Sequence, residues 1–219
     1  KSFVKIFRQV SVDKCKDDKC PEEKWVSSGS GTSIFIRKNI NTILTAGHIC
    51  QIQNLKLKDN IESLKTELLV LDHTQKWHKA EIIVSTLEDL KSETKTADIC
   101  ILHVPTLNIP KASVSKFGPR IGERIISMSA PQGVYHPPTV PIFAGIYSGE
   151  VHEVASLTTI PSLPGSSGAS VLNSNMKIIG VIYAIAAKNP NISLMVSHQM
   201  TLDFIKKAKK ILRKKNQSL

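Results

Sequence analysis

Gly165-Ser166-Ser167-Gly168-Ala169-Ser170 decides how this chain folds once it is set beside Thr45-Ala46-Gly47-His48 and Thr96-Ala97-Asp98-Ile99-Cys100-Ile101-Leu102. A serine hydroxyl attacks a carbonyl at a useful rate only when an imidazole takes its proton and a buried carboxylate holds that imidazole in the right tautomer. All three groups are present here, each in fitting local sequence, and together they point to acyl-transfer hydrolysis. The stretches lie far apart, so the chemistry requires a fold that returns distant segments to one place.

Outward from these stretches, short apolar runs of strand length follow one another: Ser33 to Ile36, Ile43 to Ala46, Leu68 to Leu71, Ala80 to Ser85, Ile99 to Val104, Ile125 to Ser129, Gly145 to Val151, Ile178 to Ala186 and Leu194 to Ser197. Turn formers such as Asn39, Asn41, Gly118, Gly122, Pro131, Gly133 and Asn175 separate them, which is the pattern of an all-β barrel or sandwich. A proline-bearing connector, Pro105 to Pro119, divides the runs into two halves. One helix is predicted, opening at Thr201 with Ile205, Ala208, Ile211 and Leu212 on one face. Phe3, Phe7 and Val10 fall at helical spacing, but Val4 and Ile6 blur that assignment. Residues 51 to 67 read as a charged insertion with partly helical character.

At 219 residues, 41% of them apolar, the chain can form one large domain or two small barrels sharing an interface. The longest apolar run, Ile178 to Ala187, is too short to span a bilayer. Net charge is +11, but Lys206, Lys207, Lys209, Lys210, Arg213, Lys214 and Lys215 supply seven of the positive charges, leaving 22 basic against 18 acidic residues elsewhere. Four cysteines are too few for a disulfide-built scaffold at this length. Cys100 reads as a buried thiol and Cys50 as a packing residue, whereas Cys15 and Cys20 flank a charged segment and either pair or stay free. A metal site at Cys15 and Cys20 lacks a second ligand pair at any usual spacing. Compartment is not legible; the chain begins at Lys1, which leaves open a removed leader.

The same residues resemble the trypsin-like serine peptidases, and among them the HtrA (Deg) type, from about Ser28 to about Lys207. Gly29-Ser30-Gly31-Thr32-Ser33-Ile34-Phe35-Ile36 followed by Ile43-Leu44-Thr45-Ala46-Gly47-His48 resembles the strand pair that delivers the family's histidine. Leu69-Val70-Leu71-Asp72 and Ala80-Glu81-Ile82-Ile83-Val84 resemble the hairpin before its aspartate strand. Ile121 to Gly133, Ala144 to Gly149 and Pro164-Gly165-Ser166-Ser167-Gly168-Ala169 resemble that type's second half and nucleophile loop.

The resemblance implies two six-stranded antiparallel Greek-key β-barrels with a C-terminal α-helix: an N-terminal extension over 1–27, a first barrel over 28–115, a second over 116–200, and a basic helix and tail over 201–219. It assigns Ser167 as nucleophile, His48 as base and Asp98 as the carboxylate orienting it; Ser166 and Ser170 are rival hydroxyls that only the family register excludes, and Asp72 is a rival carboxylate whose Asp72-His73-Thr74-Gln75 stretch reads as a hairpin turn. The backbone N–H groups of Gly165 and Ser167 form the oxyanion site. His73, His78, His103, His136, His152 and His198 remain structural or solvated. Pro161 stands where arginine- and lysine-cutting relatives carry an acid, and Tyr183, Ala184, Ile185 and Ala186 form an apolar pocket wall. Both favour small or medium aliphatic side chains before the cut.

Ser166 replaces the aspartate that pairs with a freed N-terminus in digestive relatives, so that activation switch is not expected. The HtrA type usually adds a PDZ domain, for which no room follows Leu219. The expected function is therefore a serine endopeptidase acting on polypeptides, with no metal or organic cofactor. The alternative is a catalytically silent relative that binds a partner through its cleft or basic tail. The tail reads first as a solvated helical face, next as a site for an acidic partner or nucleic acid, although no interleaved aromatic set accompanies it, and last as a membrane-surface helix, because its apolar stripe is narrow.

Overall fold

Apolar side chains recurring at every second residue give a strand one face to bury, and such segments make up most of the molecule. The computed structural model describes residues 1–16, 24–51, 61–87, 97–186 and 189–215. Within these residues twelve strands form two closed antiparallel barrels. The first comprises β1 (Phe3–Cys15), β2 (Lys24–Ile34), β3 (Thr42–Thr45), β4 (Ile61–Leu71), β5 (Trp77–Ser85) and β6 (Cys100–His103), paired in the order β1-β2-β3-β6-β5-β4. The second comprises β7 (Arg124–Met128), β8 (Ile142–His152), β9 (Ala155–Thr158), β10 (Ser170–Leu172), β11 (Ile178–Ala186) and β12 (Asn189–Val196), in the order β10-β11-β12-β9-β8-β7. A one-turn helix, α1 (Gly47–Cys50), follows β3, and α2 (His198–Lys215) follows β12.

The N-terminal stretch, expected to be an extension with a blurred helical spacing, is a strand of the first barrel. Val4 and Ile6 point into its core, while on the opposite face Phe3 meets Tyr135 edge-on at 5.1 Å and Phe7 meets Trp77 at 4.9 Å. Both faces of β1 are covered, so apolar residues occupy both parities and imitate a helical period. Of the predicted charged insertion, residues 61–67 open β4 and pair with β1; residues 52–60 lie outside the described residues. Helix α2 begins three residues earlier than expected. Ser197 caps it, its hydroxyl accepting from the Met200 N–H at 3.3 Å, and the Thr201 hydroxyl turns back to the Ser197 carbonyl at 2.9 Å.

Each barrel has its own core, and a third apolar cluster joins them. Ile34, Leu44, Ile99 and Ile101 of the first barrel meet Leu172, Ile178, Val181 and Val196 of the second, with Phe204, Ala208 and Leu212 of α2 closing over them. Burying each of these large side chains is worth about 1.5–3 kcal/mol, so the two barrels are held in one fixed relation. The connector reinforces this by bridging Ala112 to Ile34 on one side and Val114 to Ile178 on the other.

The cysteine expectations need correction. Cys50 and Cys100 are not a packing residue and a buried thiol but a disulfide, with Cα atoms 6.5 Å apart. The pairing became possible because α1 folds back on the start of β6, a contact between residues 50 positions apart. No free cysteine remains among the described residues, and Cys20 lies outside them.

Candidate active site

His48 sits in the middle of α1, a helix too short to hold itself. Four contacts from elsewhere fix it. The His48 N–H donates to Oδ1 of Asp98 at 2.9 Å, and the ring Nδ1 meets Oδ2 of the same carboxylate at 2.8 Å. Arg8, on β1, donates through Nη1 to the carbonyls of His48 at 3.1 Å and Gln51 at 2.7 Å. The Cys50–Cys100 bond then ties the helix to the strand that follows Asp98. With Nδ1–H committed to a carboxylate, the neutral ring carries its lone pair on Nε2. The ring stays about a third exposed (36%) while the carboxylate is more shielded (19%), so the imidazole is the more accessible member of the pair.

Ser167 lies on the loop before β10, which packs against the same region. The Ser30 N–H donates to the Ser167 carbonyl at 2.8 Å, and the Gly168 N–H donates to the Ile182 carbonyl at 2.7 Å. Gly168 has φ +88°, and a Cβ there would run into the Ser30 carbonyl oxygen and the Thr45 hydroxyl. Only glycine permits both the dihedral and the approach to β3, which ends at Thr45, three residues before His48. The rival hydroxyls face inward. Ser166 is buried, its oxygen 3.3 Å from the Ser129 hydroxyl and accepting from the Leu163 N–H, and Ser170 is buried in β10. Ser167 alone of the three is partly exposed. No hydrogen bond joins its hydroxyl to the His48 ring among the described residues.

The loop Pro164–Ser167 has a defined shape. Gln132, in the left-handed region at φ 48°, donates its N–H to the Pro164 carbonyl at 2.6 Å. In a trans peptide the C=O and the following N–H point in opposite directions, so this bond turns the Gly165 N–H away from Gln132. Neither the Gly165 nor the Ser167 N–H donates to a protein acceptor among the described residues.

On the other side of the loop, Ser30 of β2 acts as a four-way tie. Its hydroxyl donates to the Gly165 carbonyl at 2.8 Å and accepts from the Ala130 N–H at 3.0 Å. Its N–H holds the Ser167 carbonyl, and its own carbonyl accepts from Thr45 Oγ1 at 2.8 Å.

A cavity of about 300 Å³ opens beside Ser167, between the Ser162–Ser167 loop and Ile182, Ala184 and Ile185 of β11. Ala184 and Ile185 are thus among its walls. Pro161 lines a neighbouring cavity of about 240 Å³ with Pro131, Phe143 and Pro190. Tyr183 packs instead against the first barrel's clusters, where burial and then the Asp98 charge push its phenol up. Ala186 pairs with Asn189 at the end of the strand.

Asp72, the rival carboxylate, is bonded elsewhere: Oδ1 caps its hairpin turn through the Thr74 and Lys76 N–H groups, and Oδ2 meets His78 Nε2 at 3.0 Å. Burial pushes its carboxyl up, but the hydrogen bonds from Thr74 and His78 and from the turn's backbone outweigh that and hold it at about 2.

Sequence reading did not single out Arg8, Ser30 or Gln132. Arg8 carried a usable signal, being a lone cation on the strand parity of Val4, Ile6 and Val10. Ser30 sits between two glycines, which marks a close backbone approach. Gln132 carried none, since a positive φ at glutamine has no sequence mark.

Two closed six-stranded barrels with a paired histidine and aspartate on the first, and a glycine-serine loop of the second packed against them, define the class of two-barrel peptidase folds. The sequence matches the trypsin-like peptidase domain over residues 29–181, and the chain belongs to that family. No curated protein sequence matches it significantly.

Among solved structures it is similar to the active form of the Rv3671c protease from M. tuberculosis. The TM-score is 0.65 at 15% identity, covering 92% of this chain and 78% of that one. It is also similar to the HtrA-type protease AlgW bound to a decapeptide, with TM-score 0.69, 17% identity and coverage of 95% and 64%. A serine endoprotease from Yersinia pestis gives 0.63 at 15% identity, with coverage of 93% and 62%. The chain therefore spans less than two thirds of the length of the last two. Among the described residues no helix is long and apolar enough to cross a membrane.

Proposed function

We propose that the chain is a serine endopeptidase in which Ser167 is the nucleophile, His48 the general base and Asp98 the group that orients it. The observation that carries this is the double hold of Asp98 on His48, one oxygen on the backbone and one on Nδ1, which leaves Nε2 as the basic nitrogen. In the reaction His48 takes the Ser167 proton as Oγ bonds to the substrate carbonyl carbon. The resulting oxyanion is met by the N–H groups of Gly165 and Ser167, donors with no protein acceptor among the described residues. In another protease, losing one such donor costs about 3–4 kcal/mol of transition-state stabilisation. His48 then protonates the leaving amine, and water repeats the sequence on the acyl-enzyme. The mechanism needs no metal or organic cofactor.

The 300 Å³ cavity is the pocket for the side chain before the cut. Its floor includes Ser162, whose hydroxyl lies 2.6 Å from Ser193 Oγ, which is also 2.6 Å from the Ile160 carbonyl. A carbonyl can only accept, so Ser193 donates to Ile160 and Ser162 donates to Ser193. Ser162 thus offers the cavity no hydroxyl proton, and no charged side chain among the described residues lines it, which fits small or medium aliphatic side chains and disfavours acidic ones.

A silent relative that binds peptides without cutting is favoured by one observation, the missing hydrogen bond between Ser167 and His48. Such bonds commonly form only with substrate in place. Labelling by a fluorophosphonate probe that disappears in Ser167→Ala supports the peptidase; no labelling of the native chain overturns it.

A further inference from the structure

Away from the cleft, a hollow of about 280 Å³ opens where the turn between β2 and β3 meets α2. Its lining is Phe35, Ile36, Arg37 and Lys38 from the turn and Lys209 and Arg213 from the helix, four cations with no acid among them. Lys209 and Arg213 are four residues apart and so share one helix face. Arg37 donates through Nη1 to the Leu212 carbonyl at 2.7 Å, which seats its guanidinium at the rim and leaves its other N–H groups to a ligand. The ion pairs among the described residues join other groups: His48 with Asp98, Lys65 with Glu67, His78 with Asp72, and Lys206 with Asp203. Among the described residues no carboxylate pairs with the four cations of the hollow, and an anion entering it relieves their repulsion.

We propose that this hollow binds a compact phosphate anion carrying two or three phosphate groups. Arginine forks match phosphate oxygens in pairs while lysine supplies point charges, and the hollow offers two of each. Its volume is at the lower end for small-molecule sites, enough for an oligophosphate and too little for a nucleic-acid duplex. Phe35 is 63% exposed and gives one wall an apolar face on which an organic group attached to the phosphates can lie. An inorganic oligophosphate and a nucleoside triphosphate share this chemistry. The site does not depend on the proposed peptidase reaction.

The test is calorimetric titration of the full chain with sodium tripolyphosphate at low salt, about 50 mM, repeated at about 300 mM. Lys209→Gln with Arg213→Gln is expected to weaken binding about tenfold or more. The charge-matched pair Lys207→Gln with Lys214→Gln, each about 100° or more round the helix from Lys209 and Arg213, is expected to change it by less than about threefold. Thermal melts of both double variants verify that they fold.

Tighter binding of adenosine triphosphate than of tripolyphosphate, abolished by Phe35→Ala, identifies an organic phosphate as the ligand; equal binding identifies the inorganic one. Three results overturn the proposal. One is equal weakening in both double variants, and another is no saturable binding at low salt. The third is a 20-nucleotide single strand that binds more tightly than either phosphate and is weakened equally by both pairs.

Discussion

Removal of the Ser167 hydroxyl tests the proposed chemistry most directly. Ser167→Ala is expected to reduce turnover of a peptide substrate by about a millionfold, the scale seen when a related nucleophile is removed, with the melting temperature unchanged because its hydroxyl makes no hydrogen bond among the described residues. Asp98→Asn is expected to keep the geometry and still lose about 10⁴ in kcat, because an amide can hold the wrong tautomer.

The second histidine–carboxylate pair predicts something different. Asp72 titrates at about 2 in the folded chain against an ordinary 3.8. Its contribution to stability is therefore complete above about pH 4 and lost as pH falls towards 2. Urea midpoints measured at pH 7 and pH 2.5 should converge in Asp72→Asn relative to the native chain; an unchanged gap contradicts this. His48 and Asp98 were legible because their neighbours in sequence carry the pattern. The partners of Ser30 were not, since its hydroxyl bonds to residues 135 and 100 positions away.

Among the elements, α1 depends most on what surrounds it. Four residues cannot sustain a helix, so the position of His48 is set by Asp98, Arg8 and the Cys50–Cys100 bond. That bond closes a loop of about 50 residues, for which loop entropy in the unfolded chain is worth about 4 kcal/mol. Replacing both cysteines by alanine is expected to lower the guanidinium-derived unfolding free energy by about 2–4 kcal/mol, and a loss below about 1 kcal/mol would show the bond is dispensable. Most strands overlap their apolar runs, but β2, β4 and β12 begin well before theirs, and β1, β9 and β10 left no run at all. β1 hid its period behind Phe3 and Phe7, and β10, at three residues, was too brief to announce itself.

For the molecule as a whole, the decisive feature is that a residue of one barrel shapes the Pro164–Ser167 loop of the other. Ser30→Ala leaves the Gly165 carbonyl and the Ala130 N–H buried without their partner, at about 1–3 kcal/mol for each group. The expected result is a loss of stability together with a fall in kcat that exceeds any change in KM. Ser30→Thr, which restores the hydroxyl, should recover part of kcat; no difference between the two variants would remove Ser30 from the positioning of this loop.

The amino-acid order alone determined the all-β class of fold and the division into two strand-rich halves, and it offered Ser167, His48 and Asp98 as the candidate side chains, because these are written in local period, turn residues and immediate neighbours. Closure of the barrels, the pairing of Cys50 with Cys100, and the bond that turns the Gly165 N–H were decided only in three dimensions. Each is a contact between segments whose separation along the chain leaves no local mark, and each forms because the shared apolar core fixes the two barrels against one another.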